Sequence, residues 1–192
     1  NTYLALAVAE RLQGARGLAA ITLLVGVLVP VVNVAAVSML AREGGSRVLP
    51  ALGRNPLVIA CVGGLVWGAL GWRLPDVADR VLASLGGASL ALGLLTVGAA
   101  LKLEGGLTPT AIAYWTGLKL IVLPACALAA AKAFGLPDSL LQIAVIMAAV
   151  PTAPSAYVLA EQMTGRGRPV ATLVTAGTLL ATVTLPLWLA AL

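Results

Sequence analysis

The sequence predicts an all-α integral membrane protein in which at least one membrane span is interrupted. Three observations carry this expectation. The chain is 60% hydrophobic and only 10% charged, whereas a soluble domain carries roughly a quarter charged residues. Its apolar residues fall into runs of about the length needed to cross a bilayer, separated by short polar links. The stretch AVPTAPSAYVLAEQM, residues 149–163, lies within such a run yet holds Pro151 and Pro154 three residues apart, with Thr152 and Ser155 beside them. Each proline removes a backbone donor and clashes with the carbonyl four residues back, so the pair breaks a helix. In lipid, freed backbone groups are tolerated only against protein or a water-filled cavity. An interrupted span therefore points to a binding site of the kind secondary transporters build. The alternative is a packed proline kink.

Composition also excludes several classes. The net charge of +5 comes from twelve Lys and Arg that lie mostly between the apolar runs, so it points to the lipid bilayer and not to nucleic acid. Cys61 and Cys126 fall inside predicted spans, where a thiol behaves as a small hydrophobe. Neither a disulfide framework nor a zinc site is suggested. With no His and no paired carboxylates on one predicted face, no metal, cofactor or enzymatic chemistry is expected.

In order, the first residues, NTYLALAVAERL, read as half a span. About 13 residues reach roughly 20 Å as helix, short of a hydrocarbon core of about 30 Å. With no initiator Met and no signal peptide, the expectation is that an N-terminal part is missing. The run 17–41 contains Pro30 and Asn33, and the polar link REGGSR follows. The run 55–72 carries Gly64 and Gly68 at a spacing that lets helices approach closely, and ends in the interfacial pair Trp72-Arg73. The link LPDVAD leads to the run 77–101, with small residues at Gly86, Ser89, Gly93 and Gly98. A turn around Glu104–Gly106 precedes the run 108–134, which contains Lys119. Asp138 is the expected N-cap of the broken element 138–163, which carries Gln142 in its first turns. After TGRGR, the run 169–192 is lined by Thr172, Thr175, Thr178, Thr182 and Thr184. These threonines are expected to pack against a neighbour or return hydrogen bonds to their own backbone.

Residues 5–14, ALAVAERLQG, align without a gap with 156–165, AYVLAEQMTG: Ala5, Ala9, Glu10 and Gly14 match Ala156, Ala160, Glu161 and Gly165. In both copies a basic loop and one further span follow. An odd number of crossings separates the copies, so they face opposite ways, as in an inverted-topology repeat. On this reading residues 1–41 close the first repeat, 42–54 form a cytoplasmic link between repeats, and 55–192 are the second repeat, whose fourth of five spans breaks near 151–154. Three upstream spans and another half-helix would complete ten helices, of which this chain holds the last six and a half. The side bearing the links 42–54, 102–107 and 164–169 holds Arg42, Arg47, Arg54, Lys102, Arg166 and Arg168; the other holds Arg11, Arg16, Arg73, Arg80 and Lys132. Six basic residues against five favour the first side as cytoplasmic, with the C-terminus outside.

The segments NTYLALAVAERLQGARG, LVPVVNV, GRNPLVIA, TGLKLIVLP, MAAVPTAPSAYVLAEQM and TLPLWL resemble the C-terminal portion of bacterial auxin efflux carrier family transporters. These are prokaryotic relatives of the plant PIN-type auxin carriers and of malonate-type permeases. The resemblance covers essentially the whole chain, a little under two-thirds of a full-length member, and is strongest at PTAPSAYVLA. It implies a ten-helix elevator-type carrier of organic anions in the bacterial inner membrane, with two broken helices crossing near the bilayer midplane. By analogy of architecture a homodimer is the expected assembly.

The second half of each broken helix is expected to begin at its break, at Asn1–Thr2 and at Pro154–Ser155. A helix start presents free N–H groups and about half a positive charge, which suits a carboxylate. Asn1 and Thr152 would add side-chain hydrogen bonds, or would merely cap exposed backbone. Lys119 lies about ten residues into an apolar run, too deep to reach the interface easily. It is either a functional cation meeting a carboxylate, of the substrate or of a side chain outside this sequence, or half of a structural salt bridge. Glu10 and Glu161, with Gln162, are candidates for proton or sodium coupling, or sit at the interface neutralised by neighbouring arginines. Asn33 and Gln142 read as interhelical hydrogen-bonding residues. Two further functional readings remain: a sodium-coupled symporter of the bile-acid carrier type, which would need oxygen ligands around the break, and a membrane sensor or scaffold that transports nothing.

Overall fold

A computed structural model describes residues 1–44, 47–99, 101 and 105–192, with the backbone alone at 56, 57, 61, 89, 90 and 97. Gly45 and Ser46 of the REGGSR link, Lys102, Glu104 and the side chains of Cys61 and Ser89 lie outside the described residues. All regular structure among the described residues is helical.

Helix α1 (Thr2–Glu43) starts under Asn1, whose Oδ1 accepts the Leu4 N–H at 3.4 Å. It is not one rod. Gly14 has φ 59° and ψ −146°, a conformation that a side chain all but forbids. Beyond it the chain folds back, because a β-carbon on Gly17 would overlap the carbonyl oxygen of Ala9. Residues eight apart in a straight helix lie about 12 Å apart, so residues 2–13 and 15–43 form a tight hairpin. The expected half-helix and the span after it are both present, hinged at Gly14. Ala5, Ala9 and Ile21 bury against Ile143, Ile146 and Val150.

The segment 42–54, expected as a link, contains a short helix that the sequence did not announce, α2 (Val48–Arg54). Its apolar residues Ala51 and Leu52 pack on the cluster of Val37, Val58 and Leu159, and that burial orders the segment. Helix α3 (Pro56–Ala69) comes next, after a 71° bend. Helix α4 (Asp76–Ala99) takes the last four residues of LPDVAD into its first turn, where Asp76 and Asp79 favour the positive end of the helix. Gly93 receives the ring of Tyr3 from α1.

The fifth run is α5 (Pro109–Gly117), a π-turn (Leu118–Val122) and α6 (Leu123–Ala133). Helix α7 (Asp138–Ala149) is capped at Pro137 and not at Asp138. The Pro137 carbonyl already accepts the N–H groups of Leu140 and Leu141, so the first turn begins one residue early and Asp138 acts through its charge alone. After α7 the chain is extended from Val150 to Ala153, and α8 (Pro154–Thr164) resumes at 44° to α7. Val150 and Ala153 each precede a proline, and proline drives its predecessor out of the helical region. Gly165, at φ 66°, turns the chain into α9 (Gly167–Ala190).

By length and composition α1, α5–α6 and α9, and α4 over Asp76–Thr96, can cross a membrane, and α2–α3 and α7–α8 pass the same test as bent pairs. The links alternate between two ends. At one, Arg166 pairs with Glu43 at 2.9 Å and Thr172 Oγ1 donates to the Gly105 carbonyl at 2.7 Å. At the other, Gln13 Nε2 donates to Gln142 Oε1 at 2.6 Å and to the Ser139 carbonyl at 3.1 Å. Thr178 and Thr182 return hydrogen bonds to Val174 and Leu179 of their own helix.

Candidate functional site

The break between α7 and α8 faces a cavity of about 480 Å³ bounded by the π-turn region and α9. Lys119 and Thr152, 33 residues apart in sequence (152 − 119), line the same cavity. Thr116 also lines it, its hydroxyl donating to the Ile112 carbonyl of its own helix at 2.7 Å; Trp115, Leu118, Leu123 and Leu173 are among the apolar walls. Pro151 is fully buried, and its ring packs toward Gly177, where a β-carbon would stand 3.7 Å away.

Lys119 Nζ donates to the Ala148 carbonyl at 2.7 Å. Ala148 is in the last turn of α7, where carbonyls have no helical partner because the chain becomes extended. The ammonium thus sits at the negative end of a half-helix, and among the described residues it forms no ion pair with a carboxylate. An ammonium has three donors. Ala148 takes one, leaving two for the cavity.

Asn1 is half-buried at the start of α1. Its Nδ2 is buried and has no acceptor among the described residues. Thr2 begins α1 half-buried; Pro154 opens α8 half-buried and Ser155 is exposed. None of these three lines the cavity.

The expected coupling residues lie elsewhere. Glu10, Glu161 and Gln162 are exposed. Glu161 Oε2 accepts the Gly167 N–H at 2.8 Å, satisfying an orphan donor at the start of α9 and locking the α8–α9 hairpin. Glu161→Ala is expected to lower stability by about 1 kcal/mol, the weight of a helix cap. Thermal unfolding in detergent checks it. Among the described residues no three acidic, Cys or His side chains gather as a metal site.

Sequence reasoning missed the π-turn, and with it Trp188, whose Nε1 donates to the Leu120 carbonyl at 2.8 Å. Pro124 was the signal, since its missing N–H leaves a carbonyl one turn back without a partner.

Several apolar spans, one broken beside a cavity that holds a lysine, define a multi-pass membrane protein of transporter type. The model of the family described as membrane transport protein matches residues 18–189. The chain belongs to that family, the auxin efflux carrier family that the sequence resembles. It is 28% identical over 150 residues to auxin efflux carrier component 7 of Arabidopsis thaliana, across 71% of this chain and 23% of that protein. The chain therefore spans less than a quarter of that relative's length. No solved structure matches it.

Proposed function

We propose that this chain forms part of a secondary carrier that moves an organic anion, a carboxylate, across the bacterial inner membrane by elevator-type alternating access. The observation that carries the reading is the ammonium of Lys119, held at the break of α7–α8 and sharing a mostly apolar cavity with Thr116 and Thr152. A cation in such a wall is costly without an anion. The repeat has an offset of 151 residues (156 − 5), which sets Asn1 opposite Thr152. The buried Asn1 Nδ2, without a partner among the described residues, then supplies a second donor, with the helix starts at Thr2 and at Pro154–Ser155 adding positive potential.

Support for an inverted ten-helix repeat comes from the two glycine hairpins. Gly14 turns near Gln13 and Gln142, Gly165 near Arg166 and Glu43, at opposite ends of the helices. Residues 1–41 and 55–192 would then belong to different repeats, with 42–54 between them. The first hairpin buries against α7, and among the described residues α4 gives none to the buried clusters and meets that hairpin where the Tyr3 ring sits over Gly93; a contact so limited suits one body sliding past another. The relative's name speaks of auxin efflux for that protein; here, the cavity's one cation and apolar walls favour a monocarboxylate with an apolar body. Glu10, Glu161 and Gln162 stay the candidates for proton or sodium coupling, exposed and outside the cavity lining.

The test is uptake of labelled mono- and dicarboxylates into proteoliposomes containing the full-length protein, with and without imposed proton and sodium gradients. Saturable uptake of a monocarboxylate is expected. If no carboxylate moves, the carrier reading fails and a non-transporting sensor or scaffold takes its place.

A further inference from the structure

We infer that Trp188 is a positioning residue that holds Lys119 at the α7–α8 break by clamping the π-turn between α5 and α6, an inference that rests on reading the cavity as an anion site. A π-turn carries one extra residue, here seen as the Leu123 N–H reaching back to the Leu118 carbonyl. One extra residue rotates the helix before the turn against the helix after it by about 100°. Lys119 lies inside this turn, so its direction depends on whether the turn persists.

The turn has an identifiable cause. Pro124 has no N–H, so the Leu120 carbonyl cannot be paired from one α-turn ahead. Leu120 is buried, and a buried carbonyl without a partner is costly. The indole of Trp188, 68 residues further on, supplies the missing donor at 2.8 Å. The same ring packs on the cluster of Ala131, Leu141 and Val145, which joins α6 to α7. One side chain thus ties the π-turn to the helix whose terminal carbonyl Lys119 contacts.

Two substitutions separate the hydrogen bond from the packing. Trp188→Phe keeps an aromatic ring and removes the donor. Pro124→Ala restores a backbone N–H that can pair with the Leu120 carbonyl within the helix, so the indole is no longer needed. In the full-length carrier, Trp188→Phe is expected to raise the KM for a carboxylate about tenfold, the effect of orphaning a buried carbonyl, with little change in Vmax. In the Pro124→Ala background the same substitution should change KM by less than about twofold, a coupling that a double-mutant cycle reads directly. Equal losses in both backgrounds would assign Trp188 to packing alone and overturn the proposal; so would no loss in the wild type.

A second readout does not depend on transport. Lys119→Cys, in a background where every other cysteine is serine, is labelled with a sulfonate-bearing methanethiosulfonate. Trp188→Phe should change that rate at least about threefold, since thiol reactivity follows access and environment. An unchanged rate overturns the proposal, including where Pro124→Ala abolishes uptake. A wild type that carries no carboxylate but shows the rate change defeats the anion reading and leaves the positioning role standing.

Discussion

Replacing Lys119 by Met should lower carboxylate uptake about a hundredfold or more, the typical weight of a desolvated charge that contacts an oppositely charged partner. Met keeps the length and the apolar stem and removes only the ammonium. Two consequences then separate. The Ala148 carbonyl loses the donor that reaches it at 2.7 Å, which should cost about 1–3 kcal/mol of stability. The cavity shared with Thr152 also loses its cation, and a carboxylate entering apolar walls then leaves water for nothing of opposite charge. Initial uptake rates normalised to reconstituted protein, alongside unfolding temperatures, tell the effects apart. A variant that melts lower yet transports at the wild-type rate would reduce Lys119 to a cap on a half-helix. Lys119→Arg sharpens the comparison. It keeps the charge but replaces a compact ammonium by a planar fork, so stability should fall less than in Lys119→Met while uptake stays impaired.

The same lysine marks how far the sequence could be read. A cation deep in an apolar run was legible, as was the double-proline break, because both are local violations of a spanning helix. The group that faces the cation was not, because it is a backbone carbonyl of another helix, and no residue type announces a free carbonyl. Helix α2 was missed for a related reason. Seven residues just after a polar link carry too little period to declare a helix, and contact of Ala51 and Leu52 with Val37 and Leu159 orders them. Glu161 gains a partner that the sequence did not announce. It accepts the Gly167 N–H, and that contact needs only the tight turn that brings α9 back beside it. The hairpins themselves were half visible. The repeat pointed to Gly14 and Gly165, while the reversal of direction at Gly14 depends on ψ, which sequence does not display.

That reversal supports the second large expectation, a loss of about 3 kcal/mol in stability from Gly17→Ala, at the upper end for overpacking. A β-carbon there would stand 2.6 Å from Gln13 Cβ and overlap the Ala9 carbonyl oxygen, and neither a helix backbone nor a Cβ can swing aside. Gly26→Ala, on the same helix with nothing within 4 Å, is the control; it should be neutral or slightly stabilising because Ala is the better helix former. Comparing the two by thermal unfolding separates close packing from propensity. Equal melting temperatures would mean that the limbs of α1 do not touch at Gly17, and the hairpin would be lost. The hinge offers an independent check. Gly165 at φ 66°, ψ 14° lies near the left-handed region that Asn tolerates, whereas Gly14 at φ 59°, ψ −146° does not. Gly14→Asn should therefore destabilise by about 1–3 kcal/mol and Gly165→Asn by much less. If a carrier cycle moves each half-helix together with the span after it, stiff hairpins are what make the pair one body, and Gly17→Ala should slow uptake even where protein remains folded.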